Sequence, residues 1–240
     1  MIPHSRPTLG TEEKAALLAV LESGQIAQGE RVVEFEKAFC EFTGRRYAVA
    51  VSSGTAALHL SFLALGISPG DEVVIPSYTC VALLHAIESV GARPVVTDID
   101  LEDFNIPVSE VKKKVRRETK AIVVPHAFGL PAQMNQLQEF GIPLIEDGTQ
   151  ALGARVKGKE VGSFGAVSLF SFYATKMITT GEGGMVLTDS RRLAERLLDL
   201  RDYDKKETYR FRTNSKMTDL EAAMGLVQMK KLSGFVARRR

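Results

Sequence analysis

The sequence lacks the features that define several protein classes. Its 240 residues include no tryptophan and only two cysteines, Cys40 and Cys80. These form no CxxC pair and no zinc-ligand spacing, so we expect neither a disulfide framework nor a metal site. No apolar run reaches the ~18 residues of a membrane span. The opening MIPHSRPTLG has no basic stretch followed by an apolar one, so we expect no signal peptide and a cytoplasmic location.

The sequence also has no large excess of positive or negative charge. The 31 basic and 29 acidic side chains leave a net charge of +2, and the basic end Arg238–Arg240 is short. We therefore expect no nucleic-acid partner. The composition is 45% hydrophobic and 25% charged, as in ordinary soluble proteins.

Helical and strand patterns alternate along the chain. Parallel strands need crossover connections of this kind, so the alternation predicts an α/β fold: a mainly parallel sheet of about seven strands with helices on both faces. Such sheets bind ligands at the carboxyl ends of their strands. The predicted strands are 47–51, 72–76, 94–98, 120–125, 142–146, 166–171 and 184–188. The predicted helices are 11–23, 31–42, 55–65, 80–90, 108–117, 131–140, 190–204 and 217–232.

The segment VSSGTAAL, 51–58, carries the first candidate site. A strand ends, Ser and Gly turn the chain, and a helix begins near Thr55. Free amides at a helix N-terminus favour a phosphate, so this turn and the helix start near Thr55 form a candidate phosphate site. An ordinary helix cap explains the same residues equally well.

Two further segments bring charged groups to strand ends. In PLIEDGTQALGA, Asp147 ends a buried strand, where an unpaired carboxylate costs several kcal/mol, and Gln150 follows. In SFYATKMITTGEGG, Lys176 lies five residues after Ser171, and a lysine amine with a lowered pKa can form a Schiff base with a carbonyl. Taken singly, a solvated aspartate and a surface lysine are the simpler interpretations.

Together these groups match one cofactor, pyridoxal 5'-phosphate (PLP). Its phosphate suits the helix start near Thr55 and the Ser171 hydroxyl. Its aldehyde suits Lys176, its protonated pyridine nitrogen suits Asp147, and its phenolic oxygen suits Gln150. A protein that binds PLP in this way uses the ring as an electron sink.

The chain resembles the DegT-type sugar aminotransferases, which are fold-type I PLP enzymes. The resemblance covers essentially all 240 residues and depends on several segments in order. They are RPTLGTEEKAAL, LESGQIAQGERVVEFEKAF, VSSGTAALHLSFLALGISPGDEVVIPSYT, GARPVVTDID, EDGTQALGA, VGSFGAVSLFSFYATKMITTGEGGMVLTD and MTDLEAAMGLVQMKKL.

The resemblance implies a role for each candidate residue. Lys176 corresponds to the Schiff-base lysine that also moves the substrate proton, and Asp147 to the partner of the pyridine nitrogen. Asn214, in an otherwise ordinary polar loop, corresponds to a residue that reaches the phosphate in the neighbouring subunit, so a homodimer with shared sites is implied. The other implied cofactor ligands are Gln150, Ser171, Thr55 and Ala56.

Three departures from the family pattern stand out. Cys80 occupies a position where many relatives stack an aromatic ring on the cofactor, and a thiol covers that ring less well. Lys216 replaces a frequent arginine. Relatives also continue into a smaller C-terminal domain where this sequence ends. We therefore expect residues 1–240 to be the PLP-binding large domain and to be a weak or inactive enzyme without that smaller domain.

The implied reaction is transfer of an amino group from an amino acid, with glutamate expected, to a nucleotide-linked keto-sugar, as in polysaccharide biosynthesis. Two alternatives stay open at this point. One is a PLP enzyme of another reaction type, such as a sugar dehydratase, although the family's dehydratases replace the lysine, typically with histidine. The other is a non-catalytic homologue that binds PLP or only dimerises.

Overall fold

The computed structural model describes residues 5–204 and 206–239. Seven strands form one sheet, and a short hairpin forms a second one. The strands are β1 (Tyr47–Val51), β2 (Glu72–Pro76), β3 (Arg93–Thr97), β4 (Thr119–Pro125), β5 (Leu144–Asp147), β6 (Arg155–Val156), β7 (Lys159–Glu160), β8 (Val167–Ser171) and β9 (Gly184–Thr188).

The α-helices in the described residues follow the predicted alternation. A 3₁₀ turn, Ala127–Gly129, lies between two of them. The helices are α1 (Thr11–Ser23), α2 (Glu30–Thr43), α3 (Gly54–Leu65), α4 (Ala82–Ser89), α5 (Val108–Lys114), α6 (Met134–Gln138), α7 (Arg191–Arg201) and α8 (Asp219–Arg239).

The main sheet has the strand order β1-β9-β8-β5-β4-β2-β3. Its four pairings from β8 to β3 are parallel, whereas β9 is antiparallel to both β1 and β8. The predicted mainly parallel sheet of seven strands is confirmed. The carboxyl ends of β2, β3, β4, β5 and β8 consequently share one edge.

Helices cover both faces of the sheet, as the runs of consecutive apolar residues predict. Side chains alternate between the faces. Val49 and Leu169 pack with α3, α4 and α7, whereas Phe170 packs with α2 and α8. Ile122 and Val124 pack with α5 and α6. With both faces buried, the sheet is a rigid base for the loops at its edges.

The clearest differences from the sequence prediction are in three elements. The helix predicted over 131–140 is only Met134–Gln138, because the Ala132 amide donates to the buried ring of His126 instead of starting a helix. The hairpin of β6 and β7 was not predicted, since two-residue strands leave almost no periodic pattern. Helix α8 continues past the predicted end at 232 to Arg239.

Among the helices of the described ranges, none has the length and apolar character needed to cross a bilayer. The same residues contain no group of three or more His, Cys, Asp or Glu side chains that could hold a metal ion.

Candidate active site

The turn between β1 and α3 lies directly against the end of β8. A Cβ atom added to Gly54 would lie 2.8 Å from Cβ and 3.0 Å from Oγ of Ser171, and one added to Gly184 would lie 2.4 Å from the Ser53 carbonyl oxygen. Only glycine permits these approaches. The two predicted phosphate-binding segments, Ser53–Ala56 and Ser171, therefore meet in the structure.

Only some of the backbone amides of this turn donate hydrogen bonds. Ser53 caps α3, and its Oγ accepts a hydrogen bond from the Ala56 amide at 3.0 Å. Part of the turn is thus the ordinary helix cap considered from the sequence. The amides of Gly54 and Thr55 make no hydrogen bond within the described part of the chain. These two amides, at the positive end of a 12-residue helix, are available to an anion.

Asp147 is a buried carboxylate without a cationic partner in the described structure. It ends β5, only 5% of its surface is exposed, and its Oδ1 accepts the Thr149 amide at 2.9 Å. Burial raises the pKa of Asp147, while the bonds from Thr149 and the positive charge of Lys176 oppose that rise. A carboxylate in this state favours a cationic or proton-bearing group beside it.

Lys176 lies on the loop that joins β8 to β9. Its side chain is half-buried and close enough to influence Asp147 electrostatically, but no ion pair joins these two residues. The loop is held firmly: the Phe172 carbonyl accepts from Thr180 and Thr179, and Gln228 of α8 accepts from the Thr179 amide. A fixed loop therefore holds this amine, which lines a cavity of about 620 Å³ together with residues 5–8 and α8; Asp147 does not line that cavity.

Gln150 and Cys80 line a cavity of about 220 Å³ at the same edge of the sheet. The Gln150 Oε1 accepts the Phe128 amide at 3.1 Å, so its Nε2 is the group left to donate to a ligand. Cys80 is exposed. The cavity is also lined by Pro76, Tyr78, Thr79, Phe104, Pro125, Ala127 and Phe128.

Asn214 is exposed and lies beside the end of β1. Its backbone bridges to Asp202, and the neighbouring Ser215 carbonyl accepts the Ser52 amide at 2.9 Å. Lys216, at the position of the frequent arginine, pairs with Asp202 at 2.7 Å and Asp204 at 2.6 Å. The segment is thus anchored next to the Ser53–Ala56 turn, with the Asn214 side chain toward solvent.

A buried histidine supports this edge of the sheet. The His126 Nδ1 accepts the Ala132 amide at 3.0 Å, so the ring proton is on Nε2, which donates to Glu146 at 3.1 Å. The His126 amide also donates to the Asp147 carbonyl at 3.1 Å. In the sequence, His126 directly follows the predicted strand 120–125, and no local pattern links it to Glu146. Its pairing with Glu146 needs the parallel register of β4 and β5.

The aromatic residues at the cavity mouth were not predicted as a group. Tyr78, Phe104 and Phe128 lie on three different loops, after β2, β3 and β4, and their rings come within 5.7 to 5.9 Å of one another. Tyr78, two residues before Cys80, packs against the two phenylalanines.

The fold agrees with the comparisons to known proteins. Residues 7–240 match the DegT/DnrJ/EryC1/StrS aminotransferase family. The chain belongs to that family. The resemblance noted from the sequence is therefore confirmed at the level of the family.

Solved structures of aminotransferases superpose closely on the chain. The aminotransferase TlmJ from Streptoalloteichus hindustanus is 38% identical, with a TM-score of 0.95 over 100% of this chain and 69% of its own length. The aminotransferase from Psychrobacter cryohalolentis is 33% identical, with a TM-score of 0.89 over 94% of this chain and 63% of its own. The chain thus spans about two thirds of each relative's length.

The DegT family neighbours also include an enzyme of another reaction type. A GDP-4-keto-6-deoxymannose-3-dehydratase, captured with a PLP-glutamate adduct, is 29% identical, with a TM-score of 0.90 over 97% of this chain and 69% of its own. The fold therefore serves both amino-group transfer and dehydration among these relatives.

Proposed function

We propose that residues 1–240 are the PLP-binding large domain of an aminotransferase that transfers an amino group from an amino acid to a nucleotide-linked keto-sugar. The observation that carries the proposal is the unpaired, buried carboxylate of Asp147 within electrostatic reach of the unpaired amine of Lys176. Membership of the aminotransferase family supports the reaction type. The dehydratase relative acts on a GDP-linked keto-sugar and was captured with a PLP-glutamate adduct, which supports the substrate class and glutamate as donor.

The described residues fit PLP group by group. The free amides of Gly54 and Thr55, with the Ser171 hydroxyl beside them, suit a phosphate. Asp147 suits the pyridine nitrogen, because a protonated nitrogen would offset the burial of the carboxylate. The free Nε2 of Gln150 suits the phenolic oxygen. When bound, PLP supplies an electrophilic carbonyl carbon for amines and a ring that accepts electrons.

Asp147 and Lys176 then have separate roles in the proposed reaction. Asp147 holds a proton at the pyridine nitrogen, and its burial makes that interaction stronger than it would be in water. The Lys176 amine removes the proton from the donor's α-carbon and returns a proton to the product, since a positioned base of this kind is what proton transfer requires. The hydrogen-bonded loop from Phe172 to Thr180 keeps that amine in position.

The dehydratase alternative differs at this lysine. The family's dehydratases carry another residue, typically histidine, where this chain has Lys176, so the presence of lysine favours amino transfer. The products separate the two reactions directly: an amino-sugar in one case and a deoxygenated sugar in the other.

The proposal includes a homodimer in which Asn214 of one chain serves the phosphate site of the other. Its exposed side chain, next to an anchored backbone, supports a contact made outside its own chain. Mixing inactive Lys176→Ala chains with inactive Asn214→Ala chains in an active full-length protein should restore some activity. No recovery despite proven subunit exchange would assign Asn214 to its own chain's site or to none.

Covalent trapping tests the assignment of Lys176. Protein incubated with PLP should gain visible absorbance, and reduction with borohydride followed by peptide mass mapping should find the cofactor on Lys176. The Lys176→Ala variant should give no labelled peptide, whereas Lys159→Ala, which changes an exposed lysine of the β6–β7 hairpin, should be labelled like the wild type. Labelling of a different lysine in the wild-type protein would refute the proposal.

A further inference from the structure

Six basic side chains lie within nine residues between α5 and β4. The segment KKKVRRETK, 112–120, contains one carboxylate, Glu118, and the rest of the chain has a net negative charge. Five of the six basic side chains are exposed, and Lys114 is half-buried. The six, here called the basic edge, are Lys112, Lys113, Lys114, Arg116, Arg117 and Lys120. Much of the positive charge of the protein is therefore concentrated in one short segment.

Most charges of the basic edge are unpaired. Within the described residues, Lys113 pairs with Glu110 of α5, and the other five form no ion pair. Glu118 and Glu139, the latter next to α6 on the same face of the sheet as α5, are exposed and offset part of this charge. A cluster of like charges repels itself, and an anionic partner would remove that repulsion.

The end of α5 explains only part of the basic edge. Lysines in the last turn of a helix interact favourably with its negative end, and residues 112–114 occupy that turn. Arg116 and Arg117 lie beyond the helix in the turn before β4, and Lys120 lies in β4 itself. No helix end accounts for these three charges, which leaves a role in binding.

The basic edge and the candidate site lie at opposite ends of the sheet's strands. The segment 112–120 leads into the start of β4, whereas Asp147 ends β5, which is parallel to β4. The segment DIDLED, 98–103, follows β3 at the site edge and contributes four carboxylates and no basic side chain. Opposite charges therefore occupy opposite edges, and a negatively charged surface would attract the first and repel the second.

The basic edge has charge but no apolar anchor. Among the described residues, no large hydrophobic side chain between 105 and 127 is exposed. Protein interfaces usually centre on aromatic and apolar anchors, and single-stranded nucleic acids stack their bases on aromatic rings. A net charge of +2 is also low for a protein that binds nucleic acid through phosphates alone. An anionic lipid surface, by contrast, attracts a cluster of basic side chains by charge.

We propose that the basic edge binds the surface of an anionic lipid membrane and holds the candidate site away from it. Each Lys or Arg close to such a surface strengthens binding by about fivefold, so the basic edge as a whole can hold the protein there reversibly. The acidic segment 98–103 sets the orientation, which leaves the cavities at the site edge open to solution. This inference goes beyond the proposed reaction and does not depend on it.

Sedimentation with vesicles measures this binding. The 240-residue chain, without PLP, is mixed with sucrose-loaded vesicles of phosphatidylcholine, either alone or with about one third phosphatidylglycerol. At low salt we expect a partition coefficient at least about 50-fold higher for the anionic vesicles. That preference should disappear near ~1 M salt, where charges are screened within about 3 Å. Equal binding to both kinds of vesicle at low salt would overturn the proposal.

Neutralising the basic edge should remove most of the binding. The edge variant changes four unpaired cations: Lys112→Gln, Arg116→Gln, Arg117→Gln and Lys120→Gln. The control variant makes the same change of net charge at exposed positions elsewhere: Lys14→Gln, Lys159→Gln, Arg192→Gln and Arg196→Gln. On anionic vesicles we expect the partition coefficient to fall at least about 50-fold for the edge variant and less than about threefold for the control variant. Equal losses would show that net charge decides binding and would overturn the proposal.

A smaller change guards against misfolding of the edge variant. Arg116→Gln combined with Arg117→Gln alters only the turn after α5 and leaves helix and strand residues unchanged. We expect this pair to weaken binding to anionic vesicles by at least about tenfold, with circular dichroism and urea unfolding like those of the wild type. A well-folded pair variant with wild-type binding would contradict the role of the basic edge.

Labelling of cysteines measures the orientation. Cys80, exposed at the site edge, should react with a water-soluble maleimide at the same rate on anionic vesicles as in solution. The thiol introduced by Glu118→Cys, within the segment of the basic edge, should react at least about fivefold more slowly on the vesicles, because the lipid surface lies against it. Protection of Cys80 without protection of the introduced thiol would overturn the proposed orientation.

A nucleic acid is the other polyanion to be tested. Binding of an oligouridylate at lower concentrations than the anionic vesicles in the same salt, lost in the edge variant, would make nucleic acid the partner and overturn the lipid proposal. None of these measurements uses PLP. Trapping of PLP on Lys176 therefore tests the proposed function separately, and either result can fail without the other.

Discussion

Glu146 and Asp147 are consecutive buried carboxylates on one strand, but Glu146 is surrounded by hydrogen-bond donors and Asp147 is not. Glu146 is completely buried and accepts five hydrogen bonds. The donors are the amides of Gly162, Phe164 and Gly165, the Ser168 hydroxyl and the His126 ring. Asp147 points to the other face and accepts only from Thr149.

The pKa values of the two carboxylates follow this difference. Burial acts to raise both. For Glu146, the bonds from His126 and the amides outweigh burial and lower the pKa to about 2. For Asp147, burial prevails and the pKa is raised. A buried carboxylate whose partners lie within its own chain is part of the framework, whereas one that is left under-paired is a site for a ligand.

The largest effect is expected from Glu146→Ala. Removing this carboxylate leaves a buried hydroxyl, a histidine and three amides without their acceptor, and losses of this kind cost about 3–5 kcal/mol. We expect the free energy of unfolding in urea to fall by that amount. Glu139→Ala, which removes an exposed carboxylate, should change it little. Equal losses for the two variants would show that the Glu146 network does not stabilise the fold.

Asp147→Asn should slow the reaction without lowering the free energy of unfolding. Without the carboxylate the pyridine nitrogen loses its stabilising partner, so the half-reaction with glutamate, followed by stopped-flow absorbance, should slow about 10²–10³-fold. The unfolding free energy without PLP should stay the same or rise, because a buried, under-paired charge is removed. Asp98→Asn, at an exposed aspartate of the same edge, is the matched control. A near-normal half-reaction would exclude Asp147 as the pyridine partner.

The free energy of unfolding should change with pH in opposite directions for the two carboxylates. The lowered pKa of Glu146 gives stability that is complete above about 4.5 and is lost as the pH falls toward about 2, which amounts to about 3 kcal/mol. Glu13, also with a pKa of about 2, titrates in the same range. The difference between wild type and Glu146→Gln therefore isolates Glu146, and we expect that difference to shrink below pH 4.5.

Asp147 should make the protein less stable, not more stable, as the pH rises. Its raised pKa means that the folded state binds the proton more tightly than the unfolded state, so stability is lost as the pH rises above about 3.8. The wild type should then lose stability relative to Asp147→Asn across that range in the absence of PLP. A constant difference between the two proteins at all pH values would contradict the assigned shift.

The smallest effect is expected from His126→Gln. The hydrogen bond to the Glu146 carboxylate and the one from the Ala132 amide are weakened rather than lost, so the unfolding free energy should fall by about 1–2 kcal/mol. Hydrogen exchange at the Ala132 amide should become faster, whereas His85→Gln, at an exposed helical position, should alter neither quantity. Unchanged exchange at Ala132 would mean that the ring does not hold this loop.

The fold was largely predictable because its strands are short, apolar and separated by helical patterns. The strands predicted at 47–51, 72–76 and 184–188 have those bounds in the structure. The antiparallel direction of β9 was not predictable, because an apolar run reads the same in either direction. The late start of α6 depends on the bond from the Ala132 amide to the His126 ring, which no helical pattern reveals.

The candidate site was predictable only in part. The positions of Asp147, Ser171 and Lys176 follow from strand ends, and glycine at 54 and 184 is visible in the sequence. The cluster of Tyr78, Phe104 and Phe128 was not, because Phe104 and Phe128 adopt left-handed conformations for which the sequence would favour glycine or asparagine. Contacts between three separate loops also require the strand order, which no local pattern contains.

The pairing of β1 with β9 has a consequence for how the protein folds. Tyr47 lies opposite Thr188, so one of the first strands made can join the sheet only after nearly all the others exist. Contacts between residues so distant in sequence slow folding. The Ser53–Ala56 turn and Ser171 come together only in that same late step. Partly folded chains should therefore have no affinity for PLP, and at saturating concentrations the cofactor should slow unfolding of the sheet as a whole.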